Sequence, residues 1–168
     1  MSAALEEGGA QFDDMRASDI AEVSAIEAAT YPFPWTAGIF RDCLRARYRC
    51  RVLRDPAGIV AYGIVSTEAR EAHILNLCVR EALRRCGYGR RMLAHLLDLA
   101  IAAGARRVWL EVRRSNEAAV GLYSAAGFVE VGVRRDYYRS VDRAHGASRG
   151  VREDALVLAL GLDDGEPR

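Results

Sequence analysis

The sequence has 168 residues, with 24 basic and 23 acidic side chains and a formal net charge of +1 at pH 7. This length suits one domain with a continuous core, and the balanced charge excludes binding of nucleic acid or anionic membranes through overall charge. The chain begins without the basic and apolar segments of a signal peptide, and no apolar run is long enough to span a membrane. We therefore expect a cytoplasmic protein with no membrane partner and no direct nucleic-acid partner.

The cysteines and histidines predict neither disulfides nor a metal site. The four cysteines show no C-x-x-C spacing, and none of the three histidines has a second ligand at a metal-binding spacing. We expect reduced thiols and no metal. We also expect a single domain over residues 1–168, with flexible ends at 1–9 and 163–168.

The first half of the chain predicts two helices and a hairpin. A capping-box pattern at Asp19 and Glu22 predicts the start of a helix that Pro32 ends. Thr36 predicts the N-cap of a second, short helix after a proline-stiffened link. Two apolar runs separated by the turn sequence at residues 55–58 predict an antiparallel hairpin.

The second half predicts alternating strands and helices. A strand at His73–Val79 precedes a long amphipathic helix, and a strand at residues 107–112 precedes a helix that Gly127 closes. Two further strands follow at residues 128–133 and 155–160, and the segment 139–150 predicts a mobile loop. The pattern indicates an α/β fold with a mixed sheet and helices on its faces.

A glycine- and arginine-rich loop, Arg84-Arg85-Cys86-Gly87-Tyr88-Gly89, leads into the long helix. A helix start offers free N–H groups and the positive end of the helix dipole, which together favour a phosphate. Positive charge suited to a pyrophosphate comes from Arg84, Arg85, Arg90 and Arg91. The alternative is that the glycines serve only the turn and the arginines only solvate a helix end. The Walker and dinucleotide motifs are excluded, since G-K-[ST] is absent and Met92 replaces a required small residue.

Several segments together resemble the GNAT superfamily of N-acetyltransferases, and within it the bacterial RimI-type enzymes. R-x-x-G-x-G at a strand-to-helix junction resembles the superfamily's loop. The RimI-type segments are Phe33-Pro34-Trp35, Trp109–Arg113 with Ser115-Asn116, Leu122-Tyr123 with Gly127-Phe128, and Tyr137-Tyr138 with Arg152–Ala155. The resemblance extends from about Asp19 to Leu160. It implies the GNAT fold, a mostly antiparallel sheet of about six to seven strands with about four helices, and acetyl-CoA as cosubstrate.

The resemblance also implies roles for individual residues. Glu111 corresponds to the general base and Tyr123 to the proton donor. The cofactor would be bound by Leu77, Cys78, Val79, Arg84, Arg85, Cys86, Gly87, Tyr88, Gly89, Arg90 and Asn116, and the peptide by Phe33, Pro34, Trp35, Tyr137 and Tyr138. From the residues alone, Glu111 could be a solvent-facing strand residue, Tyr123 and the peptide-binding set ordinary packing residues, and Asn116 only an N-cap.

RimI-type enzymes acetylate the N-terminal alanine of the eighteenth small-subunit ribosomal protein, by direct transfer in a ternary complex. We expect the same reaction and a ribosomal-protein partner. The segment 139–150 is longer than the corresponding RimI connection, and Cys86 replaces the usual loop residue. Acetylation of lysine or of a small amine, and a non-catalytic CoA-binding module, remain alternatives, and the sequence does not predict the oligomeric state.

Overall fold

The computed structural model describes residues 9–141 and 150–162. Within these residues the chain forms seven strands and four α-helices, in the order β1 Gln11–Asp14, α1 Ile20–Thr30, α2 Ala37–Arg45, β2 Arg49–Asp55, β3 Gly58–Glu68, β4 Glu71–Val79, α3 Tyr88–Ala102, β5 Arg107–Arg113, α4 Glu117–Ala125, β6 Val129–Arg139 and β7 Arg152–Gly161. The predicted flexible ends, apart from Gly9, and residues 142–149 of the predicted mobile loop lie outside the described residues. None of the described helices is both long enough and apolar enough to cross a membrane.

The strands form one mixed sheet in the order β1-β2-β3-β4-β5-β7-β6. β4 and β5 pair parallel, whereas β2 pairs antiparallel with β1 and β3, and β7 pairs antiparallel with β5 and β6. The parallel pair is joined by a crossover that contains α3, as parallel strands require. The predicted mixed, mostly antiparallel sheet is confirmed. β1 was not predicted, because its four residues, Gln-Phe-Asp-Asp, carry no apolar alternation.

The chain divides into two compact units, of which the first comprises the residues up to Val65 together with Asn76–Leu96. Gly63 of β3 lies under α3, where a Cβ atom would come within 2.8 Å of Leu96 Cδ1 and 3.0 Å of Met92 Sδ. The missing side chain lets the helix pack close to the strand. The core of this unit includes Val23, Phe40, Val52, Leu53, Ile59, Val60, Tyr62, Ile64, Met92, Leu93 and Leu96.

The second unit comprises Ser66–Leu75 and the chain from Leu97 onward. Its central strand is β5, which lies between β4 and β7. Val108, Leu110 and Val112 of β5 are buried. Because side chains alternate along a strand, Trp109, Glu111 and Arg113 occupy the opposite face. That face carries Glu111, the candidate general base, and the residues around it.

Asp19 and Glu22 do not form the predicted capping box. Asp19 instead accepts a hydrogen bond from the Arg16 N–H at 2.8 Å and pairs with Arg54 of β2 at 3.1 Å. Glu22 accepts the N–H of Ile59 in β3 at 2.8 Å. Both carboxylates therefore tie the start of α1 to neighbouring segments, a long-range use that a local sequence pattern does not indicate.

Tyr137 and Tyr138 lie within β6, beyond residue 133 where the sequence pattern ends the predicted strand. The register of β6 against β7 shifts just before Tyr138, and Asp136 in this bulge has a φ of 51°. The Asp136 N–H donates to Asp154 Oδ1 at 3.0 Å, which holds the bulge. A bulge interrupts the apolar alternation of a strand, and for this reason the pattern ended the predicted strand several residues too early.

Glu27 of α1 is a buried carboxylate in the first unit, with a relative exposure of 2%. One of its oxygens accepts the Tyr62 hydroxyl and the Asn76 side-chain amide, the latter at 3.1 Å, and the other accepts the Trp35 N–H at 3.1 Å. Burial raises the pKa of Tyr62, so its hydroxyl stays a donor at all physiological pH values. A buried charge is tolerated only when such donors surround it.

We predict that Glu27→Ala lowers the free energy of unfolding by about 3 kcal/mol or more, because each buried donor that loses its acceptor costs about 1–3 kcal/mol. Tyr62→Phe removes a single donor and should cost about 1 kcal/mol. Urea unfolding monitored by circular dichroism measures both effects. The exposed Glu130 offers a control, since Glu130→Ala should change stability by less than about 0.5 kcal/mol. Equal losses in Glu27→Ala and Glu130→Ala would contradict the role given to Glu27.

Candidate active site

The loop before α3 in the first unit has the geometry of an anion-binding helix start. α3 begins at Tyr88, and its first backbone hydrogen bond runs from the Arg91 N–H to the Gly87 carbonyl at 3.1 Å. The amides of residues 88–90 therefore have no acceptor within the helix. Gly87 adopts a φ of 83° and Arg85 a φ of 60°, both in the left-handed region. The turn thus leaves a row of backbone donors at the positive end of a fifteen-residue helix.

The arginines of this loop differ in their surroundings. Arg84, Arg85 and Arg90 are exposed. Arg91 is half-buried, and its guanidinium donates to the Ala10 carbonyl at 3.1 Å. The amides and the three exposed guanidinium groups fit a pyrophosphate-bearing ligand.

The end of β4 contains Leu77, Cys78 and Val79. The ladder between β4 and β5 covers Glu71–Ile74 of β4 and ends there, so these three residues lie beyond it. Cys78 is buried, and its thiol lies 3.6 Å from Thr30 Oγ1. Burial raises the pKa of Cys78, and a buried protonated thiol is a poor nucleophile.

The aromatic segment Phe33-Pro34-Trp35 connects α1 to α2. Trp35 is anchored through its N–H to Glu27, and its ring packs on Phe40 with centroids 5.5 Å apart. Pro34 is exposed and Phe33 half-buried. Thr36 then caps α2, with its hydroxyl accepting the Ile39 N–H at 3.3 Å, as predicted. The segment is therefore fixed at Trp35 and presents Phe33 and Pro34 outward.

In the second unit Glu111 is paired and largely buried. Its carboxylate lies 2.8 Å from Arg134 Nε, and the side chains of the two residues are 11% and 50% exposed. The same guanidinium lies 5.4 Å from the ring centroid of Tyr137, and burial together with the Glu111 carboxylate raises the pKa of this tyrosine. From the residues alone Glu111 could be a solvent-facing glutamate; the structure instead gives it an ion-pair partner from β6.

His73 of β4 shares the sheet face of Glu111. Its ring stacks on that of Trp109 with centroids 3.7 Å apart, and the two residues are register partners of the parallel pair. Burial lowers the pKa of His73, with a smaller opposing effect of Glu111 and a further lowering by Arg134. The imidazole is therefore neutral at pH 7.

Tyr138 is held between charged groups of β5 and β7. The Arg113 guanidinium lies 4.5 Å from its ring centroid and pairs with Glu153 at 2.9 Å. Burial and the charge of Glu111 raise the pKa of Tyr138 to about 12. Tyr137 packs edge-on against Tyr138 at 5.0 Å. The two tyrosines thus stay uncharged and are positioned by ion pairs on neighbouring strands.

Asn116 caps α4, and Tyr123 lies within this helix. The Asn116 side chain accepts the Ala119 N–H at 3.2 Å, which confirms its predicted N-cap. Tyr123 is 7% exposed and packs edge-on against Phe128, with centroids 5.7 Å apart. Tyr123 is therefore buried and packed like a core residue, although its side chain also has a hydroxyl group.

Sequence reasoning missed Arg134, His73, Glu153 and Glu27. No local motif marks Arg134, because its pairing with Glu111 depends on the register of β6 across β7. Glu153 lies in a segment that carried the family resemblance without being assigned a role. Across residues 9–141 and 150–162, no group of three or more His, Cys, Asp or Glu side chains is arranged to hold a metal ion.

The chain is similar to enzymes that modify a ribosomal protein. It is 34% identical over 149 residues to the ribosomal protein bS18-alanine N-acetyltransferase of Escherichia coli strain K12, which covers 89% of this chain and 95% of the relative. The enzyme of the same name from Haemophilus ducreyi is 33% identical over 144 residues, covering 86% and 94%.

Solved structures show the same fold. The ribosomal-protein-S18-alanine N-acetyltransferase from Escherichia coli superposes with a TM-score of 0.80 at 30% identity, covering 95% of this chain and 99% of the other. Naa20 from Chaetomium thermophilum superposes with a TM-score of 0.78 at 24% identity, covering 90% and 86%, and supports the fold alone. Residues 20–128 match the acetyltransferase (GNAT) family. The match spans more than half of the chain and agrees with the relatives matched along nearly their whole length, so this chain belongs to the acetyltransferase (GNAT) family.

Proposed function

We propose that this enzyme, a single-domain cytoplasmic protein, acetylates the N-terminal alanine of ribosomal protein bS18. As a GNAT member it is an acetyl-CoA-dependent N-acetyltransferase. The observation that carries the choice of substrate is the similarity to bS18-alanine N-acetyltransferases along 95% and 94% of their lengths. No feature of the described residues specifically favours a small amine or a non-catalytic module.

Acetyl-CoA would be held at two places in the first unit. The pyrophosphate would lie on the amides of the α3 start, neutralised by Arg84, Arg85 and Arg90. Cys86, Gly87, Tyr88 and Gly89 contribute backbone, so the replacement at Cys86 leaves this contact intact. The backbone of Leu77–Val79 would pair with the pantetheine amides as an added strand. In the second unit, the family resemblance gives Asn116 a hydrogen bond to the cofactor.

Glu111 would accept the proton of the attacking amine. An α-amine has a pKa near 8, so about a tenth is uncharged at pH 7. When its nitrogen bonds to the acetyl carbon, the nitrogen becomes strongly acidic, and even a carboxylate paired with arginine can take its proton, directly or through a water. Backbone N–H groups of residues 77–79 would stabilise the charge that develops on the acetyl oxygen.

Tyr123 would protonate the leaving thiolate of CoA. As the carbon–sulfur bond breaks, the electron pair stays on sulfur, and the hydroxyl proton of Tyr123 neutralises it. The buried, protonated thiol of Cys78 supports direct transfer rather than an acetyl-cysteine step. Phe33, Pro34, Trp35, Tyr137 and Tyr138 are the residues proposed to contact the peptide.

The substrate class is tested with three acceptors: a lysine-free peptide starting with alanine, an N-terminally blocked peptide with one lysine, and a polyamine. We expect transfer from acetyl-CoA to the first, located on the α-amine by mass spectrometry. Transfer only to the second or third would replace the proposal by the corresponding alternative. CoA binding without transfer to any acceptor would support the remaining alternative, a non-catalytic CoA-binding module.

Glu111→Gln should lower kcat at least about 100-fold, the usual contribution of a general base, while the KM for acetyl-CoA changes by less than about threefold. Steady-state kinetics with the alanine peptide measures both. Glu130→Gln, a substitution of an exposed β6 carboxylate, is the control and should leave both constants unchanged. A Glu111→Gln enzyme with wild-type kcat would remove Glu111 from the role of base.

Tyr123→Phe should also lower kcat with little change in the KM for acetyl-CoA, because only the hydroxyl is lost while the buried ring is kept. A leaving group of low pKa needs no proton donor. Aryl thioester analogues of acetyl-CoA should therefore restore most of the rate in this variant. Tyr48→Phe, at an exposed tyrosine of the first unit, is the matched control. A rate deficit equal for acetyl-CoA and for the aryl thioester would argue against proton donation by Tyr123.

A further inference from the structure

The charges around Glu111 balance. Its carboxylate is paired with Arg134 at 2.8 Å, and the nearby Arg113 and Glu153 of β5 and β7 pair with each other at 2.9 Å. The remaining titratable groups that influence this face are His73 of β4 and Tyr137 and Tyr138 of β6. All three are uncharged near pH 7, since burial lowers the pKa of the imidazole and raises those of both phenols.

A balanced site gives no net attraction for a cation. A substrate ammonium approaching Glu111 meets a carboxylate already neutralised by a guanidinium, and it would have to displace Arg134 to gain an ion pair. The uncharged amine has no such conflict, because it carries a lone pair and no charge to be desolvated. Resting on the proposed function, we propose that Arg134 is a specificity-determining residue that makes the enzyme bind its amine substrate in the uncharged form.

This preference selects α-amines over lysine side chains. The pKa of a peptide α-amine is about 8 and that of a lysine side chain about 10.4. At pH 7 the uncharged fraction is therefore about 250 times larger for the α-amine. Without Arg134, the Glu111 carboxylate would attract both ammonium forms, and this discrimination in binding would be lost. The arginine thus turns a difference in pKa into a difference in binding between the two classes of amine.

The test compares wild type with Arg134→Gln, Arg134→Lys and the adjacent exposed Arg135→Gln, using the lysine-free alanine peptide from pH 6 to 8.5. For wild type the KM for the peptide should fall about tenfold from pH 6 to pH 7, because the uncharged fraction rises tenfold. In Arg134→Gln the protonated amine also binds, so the KM should change less than about threefold over that interval. Arg134→Lys and Arg135→Gln should follow wild type.

A second arm measures selectivity with the N-terminally blocked lysine peptide. The ratio of the KM for the lysine peptide to the KM for the α-amine peptide at pH 7 should fall at least about tenfold in Arg134→Gln, because the variant also binds the ammonium form of lysine. A wild-type KM that is independent of pH, or an Arg134→Gln profile parallel to that of wild type, would overturn the inference. Thermal unfolding of each variant, with Arg134→Lys as the charge-conserving variant, separates loss of fold from loss of selection.

Equilibrium binding of the alanine peptide in the presence of CoA gives the same comparison without turnover. The dissociation constant for wild type should fall about tenfold per pH unit below pH 7, and that for Arg134→Gln should be nearly constant. Binding that behaves in this way without acetylation of any peptide would overturn the proposed function alone. Binding by wild type that is independent of pH would overturn the role of Arg134, whatever the activity.

Discussion

Each unit contains a carboxylate that is largely withdrawn from water and paired with donors from other elements. Glu27 accepts hydrogen bonds from β3, β4 and the segment before α2, and Glu111 pairs with Arg134 of β6. A carboxylate withdrawn from water is tolerated only with such partners. The position of each donor is therefore fixed by the carboxylate to which it is bound. The same constraint places Trp35 and Arg134, which are among the residues proposed to contact the substrate or to select it.

The secondary structure followed from local patterns wherever those patterns were strong. The turn sequence after β2, the apolar face of α3, and the caps at Thr36 and Asn116 all predicted elements that the structure contains. The single-domain organisation and the catalytic roles of Glu111 and Tyr123 stay predictions. They came from the family resemblance, since a glutamate on a strand or a tyrosine on a helix carries no local sign of its chemistry.

The features that the sequence did not predict correctly all depend on pairing between residues far apart in the chain. β1 exists because Phe12 and its neighbours pair with β2, and nothing in its own four residues indicates a strand. Asp19 and Glu22 fit a local capping pattern, yet their carboxylates bind Arg54 and the backbone of β3. The ion pair of Arg134 with Glu111 requires the register of an irregular strand. Such registers are set by the whole sheet and not by neighbouring residues.

The distribution of buried and exposed cysteines allows the loop before α3 to be labelled selectively by thiol reagents. Cys43, Cys50 and Cys78 are buried, and burial raises the pKa of each thiol, that of Cys50 to about 12. Cys86 is exposed, in the middle of the turn. Thiol-directed reagents react through accessible thiolate, so a fluorophore would attach at this one position without any engineering of the chain. The wild-type protein thus carries a built-in attachment point beside the helix start, where a label would report the arrival and departure of a bound ligand.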